Sequence, residues 1–487
     1  MIKLILRQSS WGVLGHALSA VVGFLVTRYV FLEVGETKWG EYKTAHDFVV
    51  FSNTFLSIGI PSIILRFFPS LISKSKNDLS QIIIRIFRYA AIVSILFILL
   101  MIFLSPILAE IIWPNFNNFS YLLLIVSIHV PISIFMGIII SLYRSVLRIK
   151  EILLYGTFIS VSLRAILTFI VFYYCKKDDI SYFVYIEIFT QMITLIILYY
   201  LFNKNEFRIF NIKTSKEYKI EDRIYDYGRN IYIKDIFTVL STTSLPLLLS
   251  ILLPADYRGI YSILLTITAL LIFLNRPLRQ VFAPAISKLF EDQDFAGLSL
   301  LYKKTTFIIN LLTVPLSIIL LIFSNEILGF FSRTGEIDLT VYKPYLFILV
   351  ISRMISLFAG QTGTFMIMAG MERKELIIQI IKSISVVVFA CIFIPQYQLT
   401  AVVTIFISLM LFENIMQLIY LKKEINLSPY SSELLLLILL SIPIIFFAIN
   451  HQITFDFYHY ILLPIIIYLF YFVVFYKRLK QIYLEIK

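Results

Sequence analysis

Gly40-Glu41-Tyr42 and, further on, Phe67-Phe68-Pro69-Ser70-Leu71-Ile72-Ser73-Lys74 are answered by Gly259-Ile260-Tyr261 and Phe282-Ala283-Pro284-Ala285-Ile286-Ser287-Lys288. Each pair of words brackets one apolar stretch, Glu41 to Leu65 in the first case and Gly259 to Phe282 in the second. The echo continues along the chain. Arg148-Ile149-Lys150-Glu151 opens one later apolar stretch and Arg373-Lys374-Glu375 another, while Glu187 and Glu413 each lie inside a stretch of their own. Self-similarity of this kind is the mark of an internal duplication.

The stretches themselves have membrane dimensions. About 20 predominantly apolar residues cross ~30 Å of hydrocarbon, and from Ser9 to Tyr476 about 14 such segments can be drawn. In the first half they are Ser9 to Glu33, Glu41 to Leu65, Ile86 to Ile112, Tyr121 to Val146, Ile152 to Tyr174 and Ser181 to Phe202. The second half holds Ile231 to Leu253, Gly259 to Phe282, Thr306 to Phe323, Tyr345 to Ala369, Leu376 to Ile394 and Thr400 to Leu421, and a last pair follows, Leu434 to Ala448 and Tyr458 to Tyr476. Backbone groups in lipid must be satisfied within the segment or within a closed barrel, and runs this long and apolar are helices. With 59% hydrophobic and 15% charged residues and no soluble domain between the spans, the composition excludes an ordinary soluble enzyme. The fold class is therefore all-α and polytopic.

Because the repeated words return after six spans, an even number, the two copies share one membrane orientation. Parallel repeats related by a pseudo-two-fold axis along the membrane normal are a transporter architecture, with the substrate site between the halves near the midplane. The expected organisation is an N-lobe with its inter-lobe loop over 1–226, a C-lobe over 227–427, and two further helices with a tail over 428–487. Most of the 42 Lys and Arg fall on the side of Lys3 and Arg7, at Lys74, Lys76, Arg85 and Arg88, at Arg144, Arg148 and Lys150, along Lys204 to Arg229, and at Lys477, Arg478 and Lys480. The positive-inside rule places that side, with both termini, in the cytoplasm. The net charge of +12 is accordingly topogenic, directed at anionic lipid and not at nucleic acid. The first span is longer than a signal-peptide core and should stay in the mature protein.

The opening Arg7-Gln8-Ser9-Ser10-Trp11, the Gly40-Glu41-Tyr42 word, the Phe-x-Pro turn after the second span and the six-plus-six-plus-two layout resemble the polysaccharide and O-antigen flippases of the multidrug/oligosaccharidyl-lipid/polysaccharide exporter superfamily. The likeness runs over nearly the whole length. It implies a MATE-like pair of six-helix lobes around a central cavity, with two extra C-terminal helices. It also implies movement of a polyprenyl-pyrophosphate-linked oligosaccharide from the cytoplasmic to the outer leaflet of a bacterial inner membrane, for O-antigen, capsule or lipopolysaccharide biosynthesis. A glycan polymerase is the protein partner such a transporter would serve, and a monomer the expected working unit. In this fold the first two helices line the cleft, which gives Arg28 and Arg66 a claim on substrate.

Charges inside spans carry their own message, since each costs ~2.5 to 3.5 kcal/mol at the membrane centre on insertion scales. Arg276 and Arg279, spaced i, i+3 on one face of the eighth span with Pro277 between them, suit a pyrophosphate, because each guanidinium gives a two-pronged hydrogen bond to phosphate oxygens. The alternative is that both snorkel to the headgroups. Arg28 paired with Asp47, Arg164 with Glu187 and Arg353 with Glu413 read as structural ion pairs, with Arg164 and Arg353 kept as substrate contacts in the alternative. Asp47, Glu187, Asp235 and Glu413 are the acids available for H+ or Na+ coupling. No cofactor and no metal site is expected; His16, His46 and His129 are scattered over three spans as packing residues, and Cys175 and Cys391 as small apolar ones. Trp39 and Trp113, beside joints, read as interfacial anchors.

Two other functions fit the sequence less well. A multidrug or cation exporter on the same architecture would dress its cavity with acids and aromatics, whereas arginines prevail here. A membrane glycosyltransferase or polymerase would need a sizeable outer loop, a nucleotide-binding glycine loop or a paired-carboxylate motif, and none is present in the sequence.

Overall fold

The computed structural model describes residues 2–74, 76–116, 118–146, 148–176, 179–205, 222–272, 282, 285–287, 289–333, 338–450 and 457–480. It is helical, with no strand among the described residues. Among the described residues nine helical stretches are long and apolar enough to cross a membrane, two of them made of two helices that meet at a non-helical residue, Gly35 or Gln398, and shorter apolar helices add to these. Relative to a soluble protein the polarity is inverted, with apolar side chains outward and charges inward. The Lys76–Ile112 helix exposes Ile92, Ile95, Leu96, Leu99 and Phe103 along one stripe, while charged groups such as Glu187 and Arg258 are buried.

The helices gather into two compact units, residues 1–262 with 383–399, and residues 263–382 with 400–487. In the first unit the helix Ile2–Ser57 turns at Gly35, whose φ of 82° an L side chain rarely adopts. It packs on Asp222–Leu252. Ile60–Lys74, Lys76–Ile112, Phe119–Ser127, His129–Ser145 and Ile180–Asn205 complete the bundle together with a fifth span of mixed winding. That span runs from π-helix at Ile152–Ile159 through α-helix at Ser160–Phe169 to π-helix again at Ile170–Tyr174.

The second unit has Phe295–Ile322 at its centre, packed on Lys343–Ala359, Ser432–Asn450 and Phe457–Val474. Its core closes around Tyr302, with Ile286, Leu298, Phe365, Met366, Ile378 and Leu421. A repeat-related detail is visible in the links between paired spans. Lys176, between the fifth and sixth, and Gln398, between the eleventh and twelfth, are both non-glycine residues held at positive φ, 50° and 48°.

Two spans read as continuous are in fact interrupted. The second breaks at Ile58 and Gly59, both at positive φ, and the tenth at Gly360, φ 75°, where an added Cβ would overlap the Thr306 hydroxyl. A break inside the hydrocarbon frees carbonyls that lipid cannot satisfy, so neighbouring side chains must do so. They do. Tyr89 and Tyr232 donate to the carbonyls of Leu56 and Phe55 at 2.9 and 3.1 Å. At the other break Asn310 donates to Leu357 O and Tyr302 to Ala359 O, each at 2.7 Å. Hydropathy cannot register such breaks, because the residues on both sides are equally apolar.

Candidate functional site

One turn of the second span carries most of the intramembrane chemistry of the first unit. Tyr42, Lys43, His46 and Asp47 recur at i, i+1, i+4 and i+5, so their side chains leave neighbouring faces of one helix. Tyr42 donates to Glu187 Oε2 at 2.6 Å, and Arg164 Nη1 meets Glu187 Oε1 at 2.9 Å. His129 Nε2 stands 3.9 Å from the same carboxylate, with its Nδ1 3.0 Å from Gln191 Oε1. A carboxylate as buried as Glu187 is stable only with such a ring of donors, because an uncompensated charge here costs several kcal/mol. The Arg164 and Glu187 pair read from the sequence is thus formed, and His129 is drawn into it.

Asp47 takes a partner the sequence reading did not single out. Its carboxylate accepts from Arg258, whose Nε lies at 3.1 Å and whose Nη2 is closer still. Arg258 had the look of a residue at a joint; it is 3% exposed. Lys43 places its ammonium 4.6 Å from the Trp39 ring centre and 5.3 Å from that of Tyr42, a cation–π seat. Trp39 and Trp113 are not interfacial anchors. Both are buried, and their indoles donate to Ser262 Oγ at 2.8 Å and Ser250 Oγ at 3.2 Å. A tryptophan near a span end looks the same in sequence whether its N–H faces a headgroup or a serine of another helix.

The second unit holds a related cluster. Glu375, Gln379 and Lys382 line one face of the eleventh span at i, i+4 and i+7, and Glu413 and Gln417 face them from the twelfth. Lys382 Nζ meets Glu413 Oε2 at 2.5 Å. Gln379 Nε2 bridges Glu375 Oε1 and Glu413 Oε1 at 3.0 and 2.9 Å. Gln417 donates to Glu375 Oε2 at 2.9 Å and accepts from Thr362. Glu413 therefore has Lys382 as its ion-pair partner, while Arg353 lays its guanidinium over the Phe406 ring at 4.8 Å. The signal that could have found Lys382 was the repeat: a cation on the fifth span serves the acid of the sixth, and the eleventh carries its own.

Of the other sequence-derived candidates, three are among the described residues. Arg28 is half-buried on Ile2–Ser57, and Arg66 is exposed on Ile60–Lys74 with its guanidinium 5.8 Å from the Phe67 ring. Asp235 is half-buried beside Lys234 on Asp222–Leu252. Arg276 and Arg279 lie outside the described residues, as does the side chain of His16.

Comparison with known proteins bears on this arrangement at two levels. No curated protein matches the sequence. Among solved structures the fold is similar to that of the lipid II flippase MurJ in an inward closed conformation, at 15% identity and a TM-score of 0.71, covering 96% of this chain and 98% of that one. It is also similar to a MOP superfamily transporter from Pyrococcus furiosus, at 14% identity and a TM-score of 0.63 over 92% and 97% of the two chains. An inward-facing multidrug resistance MATE family transporter matches at 14% identity and a TM-score of 0.61, over 91% and 95%. These likenesses establish the fold, that of MATE-like transporters of the MOP superfamily. A family model described as polysaccharide biosynthesis protein matches residues 5–290, more than half of the sequence. With its spans, its repeat and its intramembrane charges in place, the chain belongs to the polysaccharide biosynthesis protein family.

Proposed function

We propose that this multi-pass protein moves a polyprenyl-pyrophosphate-linked oligosaccharide from the cytoplasmic to the outer leaflet of a bacterial inner membrane, by alternating access and without making a covalent bond. The observation that carries the reading is the family match over 5–290 on a chain whose intramembrane charge includes cations as well as acids. Both termini are cytoplasmic in this reading, and the product feeds a surface polymer such as O-antigen or capsule. The repeats over 1–226 and 227–427 rock against each other, with 428–487 as an accessory pair of helices. The lipid tail stays in the bilayer while cations hold the pyrophosphate, since each guanidinium can bind phosphate oxygens in a bidentate fork.

Arg276 and Arg279 are the foremost candidates for that contact, followed by Arg28, Arg66 and Arg353. Arg164 is the weakest, because its charge is committed to Glu187. For H+ or Na+ coupling the candidates are Asp47, Glu187, Asp235 and Glu413, each an acid inside a span. Glycan polymerases are the partners that would consume the flipped product.

The test is headgroup access in proteoliposomes containing a polyprenyl-pyrophosphate glycan, comparing the parent protein with Arg276→Glu plus Arg279→Glu at matched protein levels. Movement by the parent and not by the variant supports both cargo and anion site. Failure of the parent to move the headgroup, even with a proton or sodium gradient, overturns the cargo and turns attention to small cationic drugs.

A further inference from the structure

The two repeated words meet in the folded protein. An added Cβ on Gly40 would overlap the carbonyl oxygen of Ala255, and one on Gly259 would overlap that of Glu36. Ala255 precedes Gly259 by the same four residues that separate Glu36 from Gly40. The contact is therefore reciprocal, as a pseudo-two-fold axis requires, and only glycine lets the backbones approach so closely. The residues just before each glycine reach across in the same reciprocal way. Trp39 donates to Ser262, and Arg258 binds Asp47.

The two arms differ in what they cost to open. Releasing Trp39 from Ser262 breaks one neutral hydrogen bond, a small net loss. Parting Arg258 from Asp47 inside a span leaves a carboxylate and a guanidinium uncompensated, a much larger loss. Replacement partners lie close by. Lys43 is four residues before Asp47 on the same helix, the spacing at which side chains meet. Its ammonium rests on the Trp39 and Tyr42 rings, with no carboxylate within 4.0 Å among the described residues. Arg258 in turn keeps its buried Nη1 without a hydrogen-bond partner, a donor still available to an anion.

We infer that Asp47 exchanges partners during the transport cycle, binding Arg258 while residues 36–47 and 255–262 are packed together and Lys43 once they part. Lys43 is a positioning residue in this scheme. It keeps the second span neutral after Arg258 leaves, and its seat on Trp39 is vacated in the same movement that breaks the Trp39 to Ser262 bond. The inference rests on the chain being a transporter that alternates between conformations, but not on the identity of its cargo.

The experiment reads the parting directly and uses no cargo. Ser262→Cys, 5% exposed beneath Trp39, is introduced into a Cys175→Ser, Cys391→Ser background. Its labelling rate with a small membrane-permeant methanethiosulfonate is then measured in nanodiscs. Arg258→Gln should raise the rate about tenfold or more, because the packed state loses its charged bond. Lys43→Gln should lower it by about tenfold, because the parted state loses the replacement pair, and Lys43→Arg should restore it. In an Asp47→Asn background the Lys43→Gln effect should vanish. An unchanged rate in Lys43→Gln, or an effect of the same size with Asn at position 47, overturns the exchange. Should Lys43→Gln fail to accumulate, Lys43→Met read against Lys43→Met with Asp47→Asn makes the same comparison. A null result for headgroup movement in the proteoliposome assay alongside these rates would reject the cargo and leave the exchange standing.

Discussion

Lys382 holds Glu413 at 2.5 Å between the eleventh and twelfth spans, as Arg164 holds Glu187 between the fifth and sixth. The two helix pairs share a cation-to-acid bond, but the cation stands on a different turn, since Arg164 is 13 residues beyond Glu151 and Lys382 is 7 beyond Glu375. The surroundings have diverged around it. Glu187 adds a tyrosine and a histidine, whereas Glu413 shares two carboxamides with a second acid, Glu375.

Removing the cation alone should be costly. Lys382→Met leaves Glu413 with carboxamides only, and a loss of about 3–5 kcal/mol is expected. Adding Glu413→Gln should recover most of it, because two neutral side chains carry no unpaired charge. Thermal unfolding of the purified protein in detergent, read for both variants, checks the sign of that recovery.

Tyr42→Phe deletes one hydrogen bond to the buried Glu187 carboxylate and nothing else of size. A destabilisation of about 1.5–3 kcal/mol follows for a bond to a charged group. Arg164→Gln should exceed it, and the order of the two melting temperatures is the measurement.

The interruption of the tenth span depends on its two caps. Tyr302→Phe orphans the Ala359 carbonyl, at about 1–3 kcal/mol, whereas Asn310→Leu takes one of two donors from Leu357 O, which keeps the Gly360 N–H at 3.0 Å. Tyr302→Phe should cost more, since Asn310→Leu leaves both of its carbonyls a backbone donor and removes a buried amide oxygen that has no partner. Denaturation midpoints of the single variants in the same detergent decide the ranking.

Substrate contact predicts a different pattern from stability. Arg276→Ala combined with Arg279→Ala should abolish surface glycan while the protein stays in the membrane at its normal level. Glycan staining beside an immunoblot of membrane fractions separates the two effects. Normal glycan would remove both arginines from the site.

The spans, the repeat and the all-α membrane fold were legible because they depend on mean polarity over some 20 residues and on recurring words, quantities a sequence displays directly. The Arg164 and Glu187 pair was legible because both charges sit unmistakably inside spans. Arg258 and Lys382 were not. Arg258 follows Pro254 and Ala255 at what hydropathy marks as a joint, yet the helix begins at Ala255 and carries Arg258 a full turn inward. Hydropathy gives depth and says nothing of which neighbour a side chain faces. The breaks at Gly59 and Gly360 were hidden for a similar reason, since their caps come from tyrosines and an asparagine remote in sequence.

A π-turn contains one residue more than the α-turn it replaces, and each extra residue advances the winding by about 100°. Arg164 lies on a short α-helical block, Ser160–Phe169, with π-winding on either side. Its azimuth is therefore set independently of both ends of the fifth span. Moving a wide turn past Arg164 would swing the guanidinium away from Glu187 while both ends of the span keep their winding, so this helix can re-aim a charge without being displaced.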